Sequence, residues 1–371
     1  MKITVAKNDL EAALQVASIG VSNSGNDLST HFLFREREGN IQVLSYSQRV
    51  CTASPVTCQH DAEQDEAMTI EGWRLLKWLS VVGDVPVTLE NTTKGEVTVS
   101  SPRSKIRIKS LDATKFPFFD KSLDDAKEVA TLSADRLVSA LNYIRSFISD
   151  KGSNDRPDVA QIEVLDGVMW ATDKRAVTMI TLDGLKDSNL RIHGQDIPSV
   201  TKFLSNKDTQ EVTLLEHDRS LFLRRQDGAL VGCSRPLVKF PDIPVPKVQN
   251  DQMFWTVRAE SLLMGINVLE ASADKGNTRI GLAWADDQVQ LKVTSAVGGE
   301  DSFPLDVVES EGLDDLPDGG FLMDYPYITH IIGHFGDDEI KFGLNRLKSG
   351  GYVRFAHEVD KDSYVTVVAW R

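Results

Sequence analysis

The chain has 371 residues, 41 Lys+Arg against 55 Asp+Glu, a formal net charge of −14 and 41% apolar residues. That length suits two or three domains, and that apolar share is enough to build buried cores, which excludes a globally disordered chain. The acidic balance excludes a uniformly basic coat for nucleic acid, while leaving room for a local basic patch.

The opening residues Met1 to Leu14 lack an apolar block followed by small residues, so they do not read as a secretory signal. No apolar run reaches the roughly 18 residues of a membrane span. Cys51, Cys58 and Cys233 are odd in number and form no C-x-x-C pair, which points to a reducing compartment.

In chain order, Thr4 to Leu14 reads as a short β run followed by apolar residues at helical spacing, with a helix over Asp9–Val21. A second helical pattern covers Ile70 to Leu79. Alternating segments follow at Val87–Leu89, Val97–Val99 and Ile106–Ile108, the signature of half-buried strands. Lys115-Phe116-Pro117 closes this stretch. The same opening pattern returns at Thr131 to Leu141 and at Thr256 to Ile266. Second helical patterns return too, at Ile192 to Leu204 and Leu322 to Ile332. Strands are expected at Val212–Leu215 and Leu221–Leu223, and Lys239-Phe240-Pro241 repeats the closing tripeptide. An internal repeat of this length divides the chain into three similar domains, 1–125, 126–248 and 249–371. Each has two helices packed on antiparallel sheet, an α+β architecture.

Motifs for chemistry are sparse. There is no phosphate loop, dinucleotide fingerprint, nucleophile elbow or H-E-x-x-H. Cys51, Cys58 and His60 have the wrong spacing for a zinc site and read as small packed thiols. His330 and His334 stand four apart on a predicted helix Tyr327–Phe335, close to Asp337 and Asp338, yet no spacing supplies a third ligand. Asp314 to Gly319 lacks the alternating acid pattern of a calcium loop and reads as an acidic turn. No enzyme, metal or cofactor is expected.

Charge is unevenly placed. Residues 249–371 contain 10 Lys+Arg and 21 Asp+Glu, so this third carries −11 of the −14. The helices and flanks of the first two thirds hold Arg74, Lys77, Arg136, Arg145, Lys151, Arg156, Lys202 and Lys207, which on one face would bind phosphates without reading sequence. The stretch Arg103, Lys105, Ile106, Arg107, Ile108 reads as an exposed basic edge strand. Glu300 and Asp301 offer it complementary charge in a head-to-tail contact.

With the threefold repeat in place, the chain resembles the bacterial DNA sliding clamp, the beta subunit of DNA polymerase III. The resemblance spans the whole chain. It is carried by Leu111-Asp112-Ala113-Thr114-Lys115-Phe116-Pro117, by Ala171-Thr172-Asp173-Lys174-Arg175, by Ser234 to Asp242 (SRPLVKFPD) and by Tyr364 to Arg371 (YVTVVAWR). It implies three clamp domains, a head-to-tail homodimer closed into a ring around double-stranded DNA, and a cytoplasmic processivity factor with DNA polymerase and a clamp loader as partners. Matched positions imply a groove for partner peptides at Val159, Thr172, Lys174, Arg175, Pro241, Val245, Asp324, Tyr327, Val367, Val368, Ala369, Trp370 and Arg371. They also imply an interface that takes in Ala271 and Ser272 beside Glu300 and Asp301. The chain departs from the family pattern twice. The turn T-D-G-H-R-L is one residue shorter and loses its Gly-His pair, and the ending Val368-Ala369-Trp370-Arg371 has no proline. Such divergence suits a phage-encoded member. The competing reading is a clamp-fold adaptor that recruits a transcription or repair partner.

Overall fold

The computed structural model describes residues 1–22, 25, 27–92, 95–149, 156–243, 251, 253–285, 288–296, 299–312, 321–336, 339–347, 350–359 and 361–370, with the side chains of 284, 285, 321, 346, 347 and 370 outside that description. Lys151, Val245, Arg371, the Trp370 side chain, the turn 314–319 and the pair 337–338 therefore lie outside it. Seven α-helices occur among the described residues: α1 (Lys7–Ala17), α2 (Gly72–Val81), α3 (Asp120–Asp124), α4 (Ala134–Arg145), α5 (Ile197–Leu204), α6 (Ala259–Ser272) and α7 (Tyr325–Phe335).

The strand-to-helix openings predicted from the repeat are present three times. Lys2–Val5 leads into α1, Lys127–Ser133 into α4 and Met253–Arg258 into α6. The second helices α2, α5 and α7 differ from expectation at their starts. Each predicted helix ran back into a strand: Ala67–Glu71, Arg191–His193 and Phe321–Asp324. Ile70, Ile192 and Leu322 continue the apolar pattern upstream, so periodicity alone does not mark the boundary. Backbone chemistry does. Pro198 and Pro326 stand in the first turns of α5 and α7, where a missing N–H costs nothing. α7 ends at Gly336, whose φ of 63 lets its N–H return to the Ile332 carbonyl at 2.8 Å. The first helix also stops earlier than predicted, at Ala17.

The chain forms two compact units. In the first, residues 1–138 and 187–237, a five-stranded antiparallel sheet has the order Gln59–His60, Lys2–Val5, Val87–Thr92, Glu96–Ser101, Ser104–Lys109. Helices α1 and α2 bury Leu10, Leu14, Leu75 and Leu79 in a core with Ile3, Phe32, Phe34, Val97 and Ile108, all at most 1% exposed. Burying each such side chain contributes about 1.5–3 kcal/mol. A second sheet runs Lys127–Ser133, Glu211–His217, Ser220–Arg225, Leu230–Ser234, Val50–Val56, Asn40–Tyr46, His31–Arg37, Ala67–Glu71. The pairing of Leu230–Ser234 with Val50–Val56, in the register Cys233 to Val50, joins strands from the first and second repeats.

The second unit, residues 139–186 and 238–371, repeats this device. Its long sheet includes the run Gln161–Leu165, Val168–Thr172, Ala176–Thr181, Asp362–Trp370, Gly350–Val359, Glu339–Leu347, Met253–Arg258, Val307–Glu311. Here Ala176–Thr181 pairs with Asp362–Trp370, in the register Ala176 to Val368. The remaining sheet has the order Gly299–Pro304, Gln288–Ser295, Arg279–Ala285, Phe321–Asp324. α6 approaches it closely at Gly265, where a Cβ would come within 2.6 Å of Phe303.

Candidate functional site

The expected groove residues fall in the second unit, around the tight turn between Val168–Thr172 and Ala176–Thr181. The turn is built by its own side chains. The Thr172 hydroxyl donates to the Ala176 carbonyl at 2.7 Å and accepts the Lys174 N–H at 2.9 Å. The Asp173 carboxylate accepts the N–H groups of Arg175 and Ala176, both at 2.9 Å. The Arg175 carbonyl accepts the Ala369 N–H at 2.8 Å, which binds the turn to the C-terminal strand.

α7 meets this turn at its N-terminus. The Tyr327 hydroxyl donates to Asp173, and its ring stacks on Phe147 at 5.8 Å and 13°. Burial first, and then the neighbouring Asp173 carboxylate, push the Tyr327 phenol far above its ordinary range. Asp324, the residue before α7, takes Arg175 at 3.5 Å, the Thr278 hydroxyl at 3.2 Å and Arg279 at 3.8 Å. The Lys239-Phe240-Pro241 connector is fixed from the other side. Glu163 accepts the Phe240 N–H at 3.0 Å, and Gln161 donates to the Val238 carbonyl at 2.7 Å.

The expected groove thus separates into a floor and a rim. Val159, Thr172, Val367 and Val368 are buried. Lys174, Arg175 and Ala369 are exposed, and Pro241, Asp324 and Tyr327 are half-buried. Asp173 and Phe147 adjoin these residues through Tyr327 and lie outside the expected groove set. The turn motif contains Asp173 and was its only signal.

The first unit holds a counterpart. Where Val50–Val56 pairs with Leu230–Ser234, the Arg49 carbonyl accepts the Ser234 N–H at 3.0 Å, as Arg175 does with Ala369. The Arg49 guanidinium grips Asp196, the residue before α5, through two bonds of 2.8 and 3.1 Å, and Asp196 is only 2% exposed. A cleft of about 840 Å³ lies there, lined among others by Asp27, Tyr46, Gln48, Lys115 and Ser199.

The expected DNA-facing cations are distributed as follows. Arg74 and Lys77 are exposed on α2, with Arg74 paired to Glu71 at 2.9 Å and lying over the exposed Trp73 ring. Lys202 and Lys207 are exposed at the C-terminal end of α5, in a cleft of about 600 Å³ shared with Ala12, Gln15 and Ser18 of α1 and its C-terminal flank. Arg136 is half-buried and Arg145 exposed on α4, while Arg156 is tied to Asp158 at 2.9 Å. α6 and α7 contain no Lys or Arg. α6 instead exposes Met264 and Val268.

At the expected interface, Ser104–Lys109 ends its sheet with Lys105 and Arg107 exposed and Arg103 in the preceding turn. Ile106 is half-buried. Ile108 is wholly buried, and its side chain belongs to the core. In the second unit, Gly299–Pro304 likewise ends its sheet, with Glu300 and Asp301 exposed, and Ala271 and Ser272 are exposed at the end of α6.

The paired histidines do not converge on a shared point. His330 donates through Nε2 to the Tyr143 carbonyl at 2.9 Å and shares a 3.2 Å contact with Ser146 through Nδ1, while His334 meets Ser139 at 3.3 Å. Burial lowers both imidazoles from their ordinary value, and for His334 the neighbouring His330 and His357 add to it. Among the described residues no group of three or more His, Cys, Asp or Glu is placed to hold a metal, and no helix is long and apolar enough to cross a membrane.

The fold is that of the bacterial DNA polymerase sliding clamps: α+β, with three strand-to-helix repeats on antiparallel sheets. Over 100% of both chains it is similar to the DNA polymerase III subunit beta from Pseudomonas aeruginosa, with a TM-score of 0.80 and 17% identity. It is similar to the DNA polymerase sliding clamp from Bacillus subtilis, with a TM-score of 0.82 and 14% identity, over 100% of this chain and 99% of that one. The beta subunit of DNA polymerase III from Thermotoga maritima aligns over the same shares, with a TM-score of 0.78 and 17% identity. No protein-family model and no curated protein sequence matches the chain.

Proposed function

We propose that the protein is a DNA sliding clamp, a non-enzymatic processivity factor with three clamp domains that pairs head to tail into a ring around duplex DNA. The full-length likeness to solved clamps carries this reading. Two open sheet edges of opposite charge support the pairing: Lys105 and Arg107 on one, Glu300 and Asp301 on the other. An exposed edge strand is a template for pairing, and complementary charge sets partner and register. In the ring, Arg74, Lys77, Arg136, Arg145, Lys202 and Lys207 make weak phosphate contacts that hold DNA without reading its sequence. Closure replaces tight binding, so a tethered polymerase rebinds its primer end before diffusing away. The rim around Arg175 and Tyr327 docks a short segment of the polymerase or the clamp loader.

Light scattering at micromolar concentration tests the pairing. The expected mass is about 82 kDa, twice the 41.1 kDa of one chain. A stable single chain under those conditions overturns the ring.

A further inference from the structure

We propose that the Lys174–Arg175 turn makes the docking groove selective for partner segments that carry a carboxylate side chain beside their apolar anchor. This rests on the groove reading above and adds the chemistry of the occupant.

Lys174 has φ 77, a left-handed conformation that residues with a side chain seldom adopt. Gln48, its counterpart beside Arg49, is not among the positive-φ residues. The Thr172 hydroxyl and the Asp173 carboxylate hold the turn in this form, and strain kept in place by its surroundings concentrates at binding sites. The Lys174 side chain is exposed, and its ammonium makes no ion pair among the described residues. Arg175 beside it is 67% exposed, and its one ion pair among the described residues is a 3.5 Å contact to Asp324, a carboxylate already shared with Thr278 and Arg279. Asp173 is occupied by two backbone N–H groups and Tyr327. Two adjacent cations thus stand on the rim, while Asp173 and Asp324 are engaged. Leu322, 48% exposed and two residues before Asp324 on the same strand face, offers the apolar contact. Charge complementarity beside an apolar contact fits an acidic, apolar linear segment.

The test uses the full chain and three fluorescent octapeptide pools that share a central Leu-Leu pair, with flanks of Asp/Glu, Asn/Gln or Lys/Arg, read by anisotropy. A chain of net charge −14 attracts basic peptides non-specifically, so an acidic preference reports a local site. The acidic pool should bind about tenfold more tightly than the basic one at low salt, and the gap should close at about 1 M salt. The double variant Lys174→Glu, Arg175→Glu should invert the order while keeping the wild-type melting profile. Equal binding of all three pools overturns the selectivity and leaves the groove standing. No binding by any pool overturns both. An acidic preference that survives the double variant places its origin elsewhere and overturns the proposal.

Discussion

The Arg49 and Arg175 sites are built alike and held differently. In each, an arginine carbonyl receives an N–H from the closing strand of the following repeat, and its guanidinium faces the aspartate before a helix. At Arg49 that contact is bidentate and its aspartate is nearly sealed from solvent. At Arg175 it is one long contact to an aspartate 18% exposed. A desolvated pair must stay satisfied, because either partner alone is costly to bury, whereas a solvated pair can open at little cost. One copy of the device is therefore a sealed tie, and the other is a solvated pair that opens at little cost.

The sharpest way to break this contrast is to remove each arginine in turn. Arg49→Ala leaves Asp196 buried without its cation and should cost about 2–4 kcal/mol, somewhat below the usual loss for a fully buried pair because Arg49 is itself partly exposed. Arg175→Ala should cost less than about 1 kcal/mol. Thermal unfolding of the two variants decides it, and equal losses would erase the distinction.

Acid should act next. Folded His330 and His334 have lowered pKa values, so the unfolded chain takes up their protons first as pH falls below 6.5. Their contribution to stability is complete above pH 6.5 and is lost as pH falls through the lowered values. The unfolding midpoint of the wild type should drop over that interval, and the double variant His330→Gln, His334→Gln should show a flatter profile. Identical pH profiles would show that the two imidazoles do not titrate with folding.

The smallest effect sharpens the Arg49 side. Burial holds the His193 imidazole low, and the charge of Arg49 lowers it further. In Arg49→Ala the His193 titration, followed by NMR, should move upward. An unchanged or lower titration would mean that Arg49 does not govern the local field.

Much of the fold was legible because its signals are local. Strands such as Val87–Thr92 alternate, α4 and α6 carry helical periodicity, and the tripeptides at Phe116 and Phe240 mark connectors anchored by a buried ring. The starts of α2, α5 and α7 differ from expectation because the apolar pattern begins in the preceding strand, which runs straight into α2 and α7 and is separated from α5 by the turn 194–196. The site was less legible, since its bonds join residues far apart in sequence. Tyr327 reaches Asp173 across 154 positions, and Arg175 reaches Asp324 across 149. Nor does an apolar residue type separate wall from core. Val159 and Val368 match the groove pattern yet are buried, and no composition reveals the left-handed backbone of Lys174.

The central claim is topological, and one measurement addresses it. The chain is dissociated by dilution, reconcentrated with a nicked circular plasmid, and passed through a sizing column in high salt before and after the plasmid is linearised. A ring held by closure stays with the circle and is lost from the linear form. Equal retention on both, or equal loss from both, would contradict the clamp.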